Sequence, residues 1–201
     1  MRLGELAVIN TGIVAARRQA SPLDKVCIRY RILNLKAINE KGYIEDNLLE
    51  EFVANGSIKE KYLTQEGDLV VRLTTPFTAV LIDRIHKGIV VPSHFIVIRV
   101  KSGKILPEYL YWLLNTEKVR QDIWQNINST TMGTVKPMSY ASLYVECITL
   151  AEQEKIGELY KLAQRELRLL ERLKEQKELY YREAIDRIQK EMRQRNEDNK
   201  K

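Results

Sequence analysis

The chain has 201 residues, 44% apolar and 30% charged, with 33 Lys and Arg against 27 Asp and Glu and a net charge of +6. That length suits one domain of ordinary size plus an extension, and the charge content points to a long solvated element. No run of about 18 apolar residues is present, so no segment reads as a membrane-spanning helix, and the opening MRLGELAVINTG is interrupted by polar residues too early for a signal peptide. The mild positive excess is compatible with nucleic acid and by itself singles out no partner. Cys27 and Cys147 have no His or Cys at metal-ligand spacing. They read as small buried hydrophobes of a reducing, cytoplasmic compartment, with a disulfide between them as the lesser alternative.

Along the chain, LGELAVIN (3–10) predicts a strand closed by a turn at Thr11-Gly12. In KVCIRYRILNLKAI (25–38), Val26, Ile28, Tyr30 and Ile32 alternate with polar residues including Arg29 and Arg31, the pattern of a half-buried strand. Gly42 marks a turn, and YIEDNLLEEFV reads as irregular or as a short helix. Gly67-Asp68 is a turn feeding the strand LVVRL, and turn chemistry accounts for Glu66 and Asp68. TAVLIDRI (78–85) and HFIVIRV (94–100) are further strand-like runs. Pro107 opens one helix, PEYLYWLLNTEKVRQDIWQNI, with Leu110, Leu113, Leu114, Ile123 and Ile127 at helical spacing. The polar stretch NINSTTMGTVKPMS follows, and ASLYVECITL reads as a last strand or extended segment.

From Glu152 to about Asn196 the chain has no proline, and no glycine after Gly157. Ile156, Leu159, Ala163, Leu170, Leu173, Tyr180, Ala184 and Ile188 recur at mostly helical steps, continued by Met192, with charges of both signs between them. This predicts a helix of about 45 residues, roughly 65 Å long. A small domain cannot cover such a stripe, so it calls for another long helix, in a partner chain or a second copy. The organisation is therefore α+β: a β-rich domain over 1–150 and a helical arm over 151–201.

Signatures of catalysis are missing. The sequence has no G-x-G-x-x-G, P-loop, H-E-x-x-H, C-x-x-C or G-x-S-x-G, and neither His86 nor His94 has a matched nucleophile nearby in sequence. What stands out instead is donors and acceptors at loop positions. NINSTTMGTVKPMS offers Asn128, Thr130, Thr131, Thr134 and Lys136, with Gly133 permitting close backbone approach. Short hydroxyl and amide groups suit phosphate oxygens and base edges, and a lysine adds charge. Arg17 and Arg18 follow one glycine turn, Arg72, Thr74 and Thr75 end a strand, and Ser93 and His94 open another. Three readings fit: a DNA-recognition module, a non-catalytic protein–protein scaffold with an oligomerising arm, or an enzyme with an unrecognised site.

Four segments in order, LGELAVINTG, GDLVVRLT, LPEYLYWLLNTEKVRQDI and NSTTMGTVKPMSYASLYVECITLAEQEKIGEL, make the chain resemble half of a specificity subunit of type I restriction–modification systems. The resemblance spans nearly the whole chain. It departs in CITLAEQ, where the family usually places a proline-rich segment ahead of the E-Q pair. The resemblance implies a target recognition domain that reads a short half-site on double-stranded DNA, followed by a long helix that pairs as an antiparallel coiled coil. Full-length subunits carry two such halves, so a half-length chain would act as a homodimer on a bipartite site. The implied partners are a modification methyltransferase subunit and, through the complex, a restriction translocase subunit. Catalysis, S-adenosylmethionine and ATP would belong to those partners, leaving this chain non-catalytic and without a cofactor of its own.

Overall fold

The computed structural model describes residues 1–125 and 135–198. The chain divides into two compact units, Met1–Tyr160 and Lys161–Lys201.

The first unit is built on a four-stranded antiparallel sheet. Its strands are β1 (Ala7–Thr11), β4 (Leu69–Arg72), β5 (Ala79–Leu81) and β6 (Phe95–Val100), in the order β1-β6-β4-β5. A second sheet pairs β2 (Ile28–Ile32) with β3 (Glu50–Ala54). The central strands read as near-continuous apolar runs because both of their faces are covered. Leu69, Val71, Ile96 and Ile98 join one core with Leu3, Leu6, Tyr109, Leu110, Leu114 and Tyr140. Val70, Val80, Phe95 and Val97 join another with Leu33, Ile38, Ile44, Ile82, Ile89 and Val91. On β2 the alternation is realised as expected: Arg29 and Arg31 are exposed while Ile32 is buried.

Several expectations need correction. The strand expected over 3–10 begins only at Ala7, because Leu3–Leu6 form a short helix, α1. The Glu5 carboxylate accepts the Arg2 amide at 3.2 Å, and the turn buries Leu3 and Leu6 together. The stretch read as irregular or as a short helix opens with a 3-10 turn, Asp46–Leu48, and continues into a strand, β3, which was not expected. The single helix expected from Pro107 is two, α2 (Pro107–Leu114) and α3 (Glu117–Gln125). Asn115 ends the first. Its amide oxygen accepts the Ala79 N–H at 3.1 Å, and its nitrogen donates to Ala79 and Tyr111 carbonyls, each at 2.9 Å. The side chain thus serves as a hydrogen-bonding partner for the edge strand β5, and Thr116 caps α3 through Val119 N–H at 3.4 Å. A further helix, α4 (Pro137–Ser142), stands where extended chain was expected to begin. Beyond it lies only an isolated bridge, Arg2 to Tyr144. Cys27 and Cys147 are both exposed and unpaired, not buried. Cysteine's usual burial is a statistical preference, and both residues here sit in loops outside the core.

The long helix, α5, runs Leu150–Asp198. It starts at a capping box in which the Thr149 hydroxyl accepts the Glu152 N–H at 3.3 Å and the Glu152 carboxylate accepts the Thr149 N–H at 3.0 Å. The Thr149 hydroxyl also donates to the Glu152 carboxylate at 2.7 Å, and this bond, together with the one from the Thr149 N–H, holds the Glu152 carboxyl below its ordinary range. Its first turns belong to the globular unit. A Cβ on Gly157 would lie 2.6 Å from that of Glu108, so glycine is what lets the helix approach the start of α2. Ile156 and Tyr160 are partly buried against the main core.

Gln153 is fully buried and fully used. Its oxygen accepts the Leu106 N–H at 2.9 Å, and its nitrogen donates to the Lys104 and Ile148 carbonyls, each at 2.9 Å. Gln153→Leu keeps the volume and strands three backbone groups. A loss of about 2 kcal/mol is expected, read as a lower urea midpoint at unchanged m value.

In the second unit the described side chains are mostly exposed. Leu162, Leu169, Leu170, Leu173, Leu179, Tyr180, Tyr181, Ile185, Ile188 and Met192 are each between 47% and 66% accessible. Ala163 and Ala184 are half-buried. Among the described residues no helix is long and apolar enough to cross a membrane.

Candidate nucleic-acid interface

Antiparallel order brings the end of β1, the end of β4, the start of β5 and the start of β6 to one end of the four-stranded sheet. The sequence-predicted contact residues lie in the segments that leave the sheet there. Gly12 turns the chain out of β1 while its N–H donates to the Phe95 carbonyl at 2.9 Å. A Cβ at Gly12 would sit 2.0 Å from the Pro92 carbonyl oxygen, so no other residue fits this crossing. A 3-10 turn, Ala15–Arg17, follows and leaves Arg17 exposed. Arg18 is half-buried, its Nη2 donating to the Ser57 carbonyl at 2.9 Å.

The β4–β5 turn is fixed from three sides. The Leu73 N–H donates to the His94 carbonyl at 2.9 Å, the Val135 N–H donates to the Leu73 carbonyl at 2.9 Å, and the Phe77 N–H closes onto the Thr74 carbonyl at 2.9 Å. Thr75–Pro76 is cis and Phe77 adopts φ 57°. Phe77 is buried, with its ring 6.1 Å from that of Trp124. Arg72 folds over this turn, its Nη2 donating to the Thr75 carbonyl at 3.2 Å. Burial lowers the pKa of its guanidinium, partly offset by the charge of Glu40. Arg72 Nε and Thr74 Oγ1 are buried and have no hydrogen-bond partner among the described residues. Thr75 is exposed.

Ser93 is half-buried and His94 is exposed. Lys136 is exposed and caps the start of α4, where its carbonyl accepts the Ser139 N–H at 2.9 Å. Asn128, Thr130, Thr131 and Thr134 lie outside the described residues. The segments on either side of them, at Trp124 and Val135, both meet the β4–β5 turn.

This end of the sheet therefore gathers guanidinium, imidazole, ammonium and hydroxyl groups. Such a set binds anions and hydrogen-bonding edges. Among the described residues no group of three His, Cys, Asp or Glu could hold a metal ion. The other histidine, His86, is buried between two carboxylates, Nδ1 at 2.6 Å from Asp83 and Nε2 at 3.2 Å from Asp46. Nδ1 closes on the cap of its own 3-10 turn, Arg84–His86, and Nε2 reaches the 3-10 turn Asp46–Leu48. Sequence reasoning passed over Phe77 and Trp124, which brace the turn, and over the segment after β3, whose Ser57 holds Arg18. No periodicity marks that segment, and its place beside Arg18 depends on the sheet order.

No family model matches the sequence, and no curated protein does. Solved structures are similar in fold. One is the crystal structure of the HsdS subunit from Thermoanaerobacter tengcongensis, with a TM-score of 0.62 and 17% identity over 86% of this chain and 43% of that one. Another is a chain from a structure of complex assembly and conformational transition in the type I R-M system, with a TM-score of 0.61 and 17% identity over 85% of this chain and 43% of that one. The chain thus spans under half the length of the solved chains it matches. The fold, antiparallel sheets followed by a long C-terminal helix, is HsdS-like.

Proposed function

We propose that this chain is a sequence-specific DNA-recognition subunit of a type I restriction–modification assembly, carrying one recognition unit and one helical arm. The globular unit reads a half-site on duplex DNA. Two copies pair their arms as an antiparallel coiled coil through the stripe that includes Leu159, Ala163, Leu170, Leu173, Tyr180, Ala184 and Ile188, and together address a bipartite site. A modification methyltransferase subunit docks on the assembly, with a restriction translocase joining through it. Methyl transfer and strand cleavage are theirs, and this chain needs no cofactor.

One observation supports the reading most: a fold like that of HsdS subunits carries cationic and hydroxyl groups from several segments at one end of its sheet. Arg72, Thr75, Ser93 and His94 are the residues for base edges, Thr74, whose hydroxyl is buried, supports their turn, and Arg17, Arg18 and Lys136 are those for phosphates.

Selection of tight binders from a random duplex pool should yield one recurring half-site. On that duplex, Lys136→Ala is expected to weaken all sequences alike and lower the salt slope by roughly one unit. Arg72→Ala is expected to cost about 1–3 kcal/mol on the selected site only. Melting curves on both variants separate lost contacts from lost folding. A parent chain that enriches no sequence contradicts the proposal.

A further inference from the structure

The Ser57–Tyr62 segment of the β3–β4 connection and the segment leaving β1 enclose a groove of about 350 Å3. Arg17, Arg18 and Lys59 supply its cations, and Ile13, Ile58 and Tyr62 its apolar wall. No carboxylate is among its lining residues. The nearest in sequence, Glu60, is not one of them.

Arg18 is held rather than loose. Its Nη2 is committed to the Ser57 carbonyl at 2.9 Å, and its Nε is buried without a partner among the described residues. The opposite bank is equally fixed: Tyr62 donates its N–H to the Lys59 carbonyl at 2.9 Å, and its own carbonyl accepts from Val91 at 2.9 Å. Lys61 covers the Tyr62 ring at 4.8 Å, adding positive potential beside the groove.

A bare oxyanion would satisfy the cations and leave the apolar wall wet. A phosphodiester with its sugar satisfies both. We propose that this groove is a subsite for one phosphodiester of a DNA strand, met by Arg17, Arg18 and Lys59, with the deoxyribose against Tyr62. The inference rests on the proposed DNA reading and adds Lys59 and Tyr62 to it. Because Gly12 and Pro92 tie the groove to the sheet end that carries Ser93 and His94, a strand seated here would be placed for base contacts there.

The test uses the full chain with Arg17→Gln and Lys59→Gln together, which leaves the Arg18–Ser57 bond intact. Affinity for the selected duplex and for a scrambled one is measured across a sodium chloride series, beside melting curves. The expected result is equal weakening on both duplexes, a salt slope reduced by roughly one unit, and an unchanged melting temperature. In a second arm, inorganic phosphate at matched ionic strength should displace duplex no better than chloride does. Selective displacement by phosphate that the double variant abolishes would make this a free-anion site and overturn the proposal. Loss confined to the selected duplex would mean base contact and overturn it as well. An unchanged slope and affinity in the variant, with a parent that binds, overturns the subsite alone. A parent that binds no duplex overturns the subsite and the DNA reading together.

Discussion

Replacing Asp68 by alanine is expected to destabilise the globular unit by about 3 kcal/mol, the lower end of the range for breaking a buried pair. Asp68 is 1% exposed. Its Oδ1 accepts from Arg99 Nε at 2.7 Å, and its Oδ2 from Arg99 Nη2 at 2.7 Å and from the Gln65 N–H at 2.8 Å. The fork is bidentate, and the hydrogen bond to Asp68 is the main reason the Arg99 pKa is raised. Alanine would leave the guanidinium and the turn amide without their acceptor. The lower end of the range applies because the Arg99 side chain keeps 30% of its surface in solvent. Asp68→Asn, which retains an acceptor, should lose less. Urea unfolding at constant m checks both, and a loss for Asp68→Ala below about 1 kcal/mol would show that the pair matters little.

Leu170→Glu with Leu173→Glu is expected to turn a dimer into a monomer. Both leucines are about half exposed in one copy, at 54% and 47%, on the stretch of the helix beyond Tyr160 whose described apolar side chains are mostly exposed. Pairing two copies would bury the half of each leucine that is still exposed, worth about 0.8–1.5 kcal/mol apiece. The double substitution places four carboxylates in the seam of such a pair. Its dissociation constant should rise by roughly a thousandfold or more, about 4 kcal/mol. Sedimentation of parent and variant at tens of micromolar reads the outcome. Because the substitutions lie in the second unit, the melting of the globular unit should change little. A monomeric parent would contradict pairing between copies.

What was legible in the sequence was what local chemistry controls. The strand at Ile28–Ile32 follows from alternation, and the long helix from a mostly three-and-four spacing with no proline. The break at Asn115 was not legible, because the group that ends the helix does so through Ala79, 36 residues away in sequence. Asp68 looked like a turn residue and is one, but its larger role depends on Arg99, 31 residues on. The candidate site was legible as a set of polar loops, not as a place. Strands β1, β4 and β6 are neighbours only because the sheet runs β1-β6-β4-β5, an order that no short pattern encodes. Lys59 and Tyr62 went unseen for the same reason.

The central strands β4 and β6 are covered on both faces, while Thr75 and His94 stand beyond their ends in water. Foldability and surface identity are therefore written in separate letters of the chain. Substitutions at the rim leave the buried jigsaw untouched, so this protein can drift there one residue at a time without passing through an unfoldable intermediate. Gly12, pinned against Pro92, and Phe77, buried in the core, are exceptions, positions in the rim that the scaffold keeps for itself.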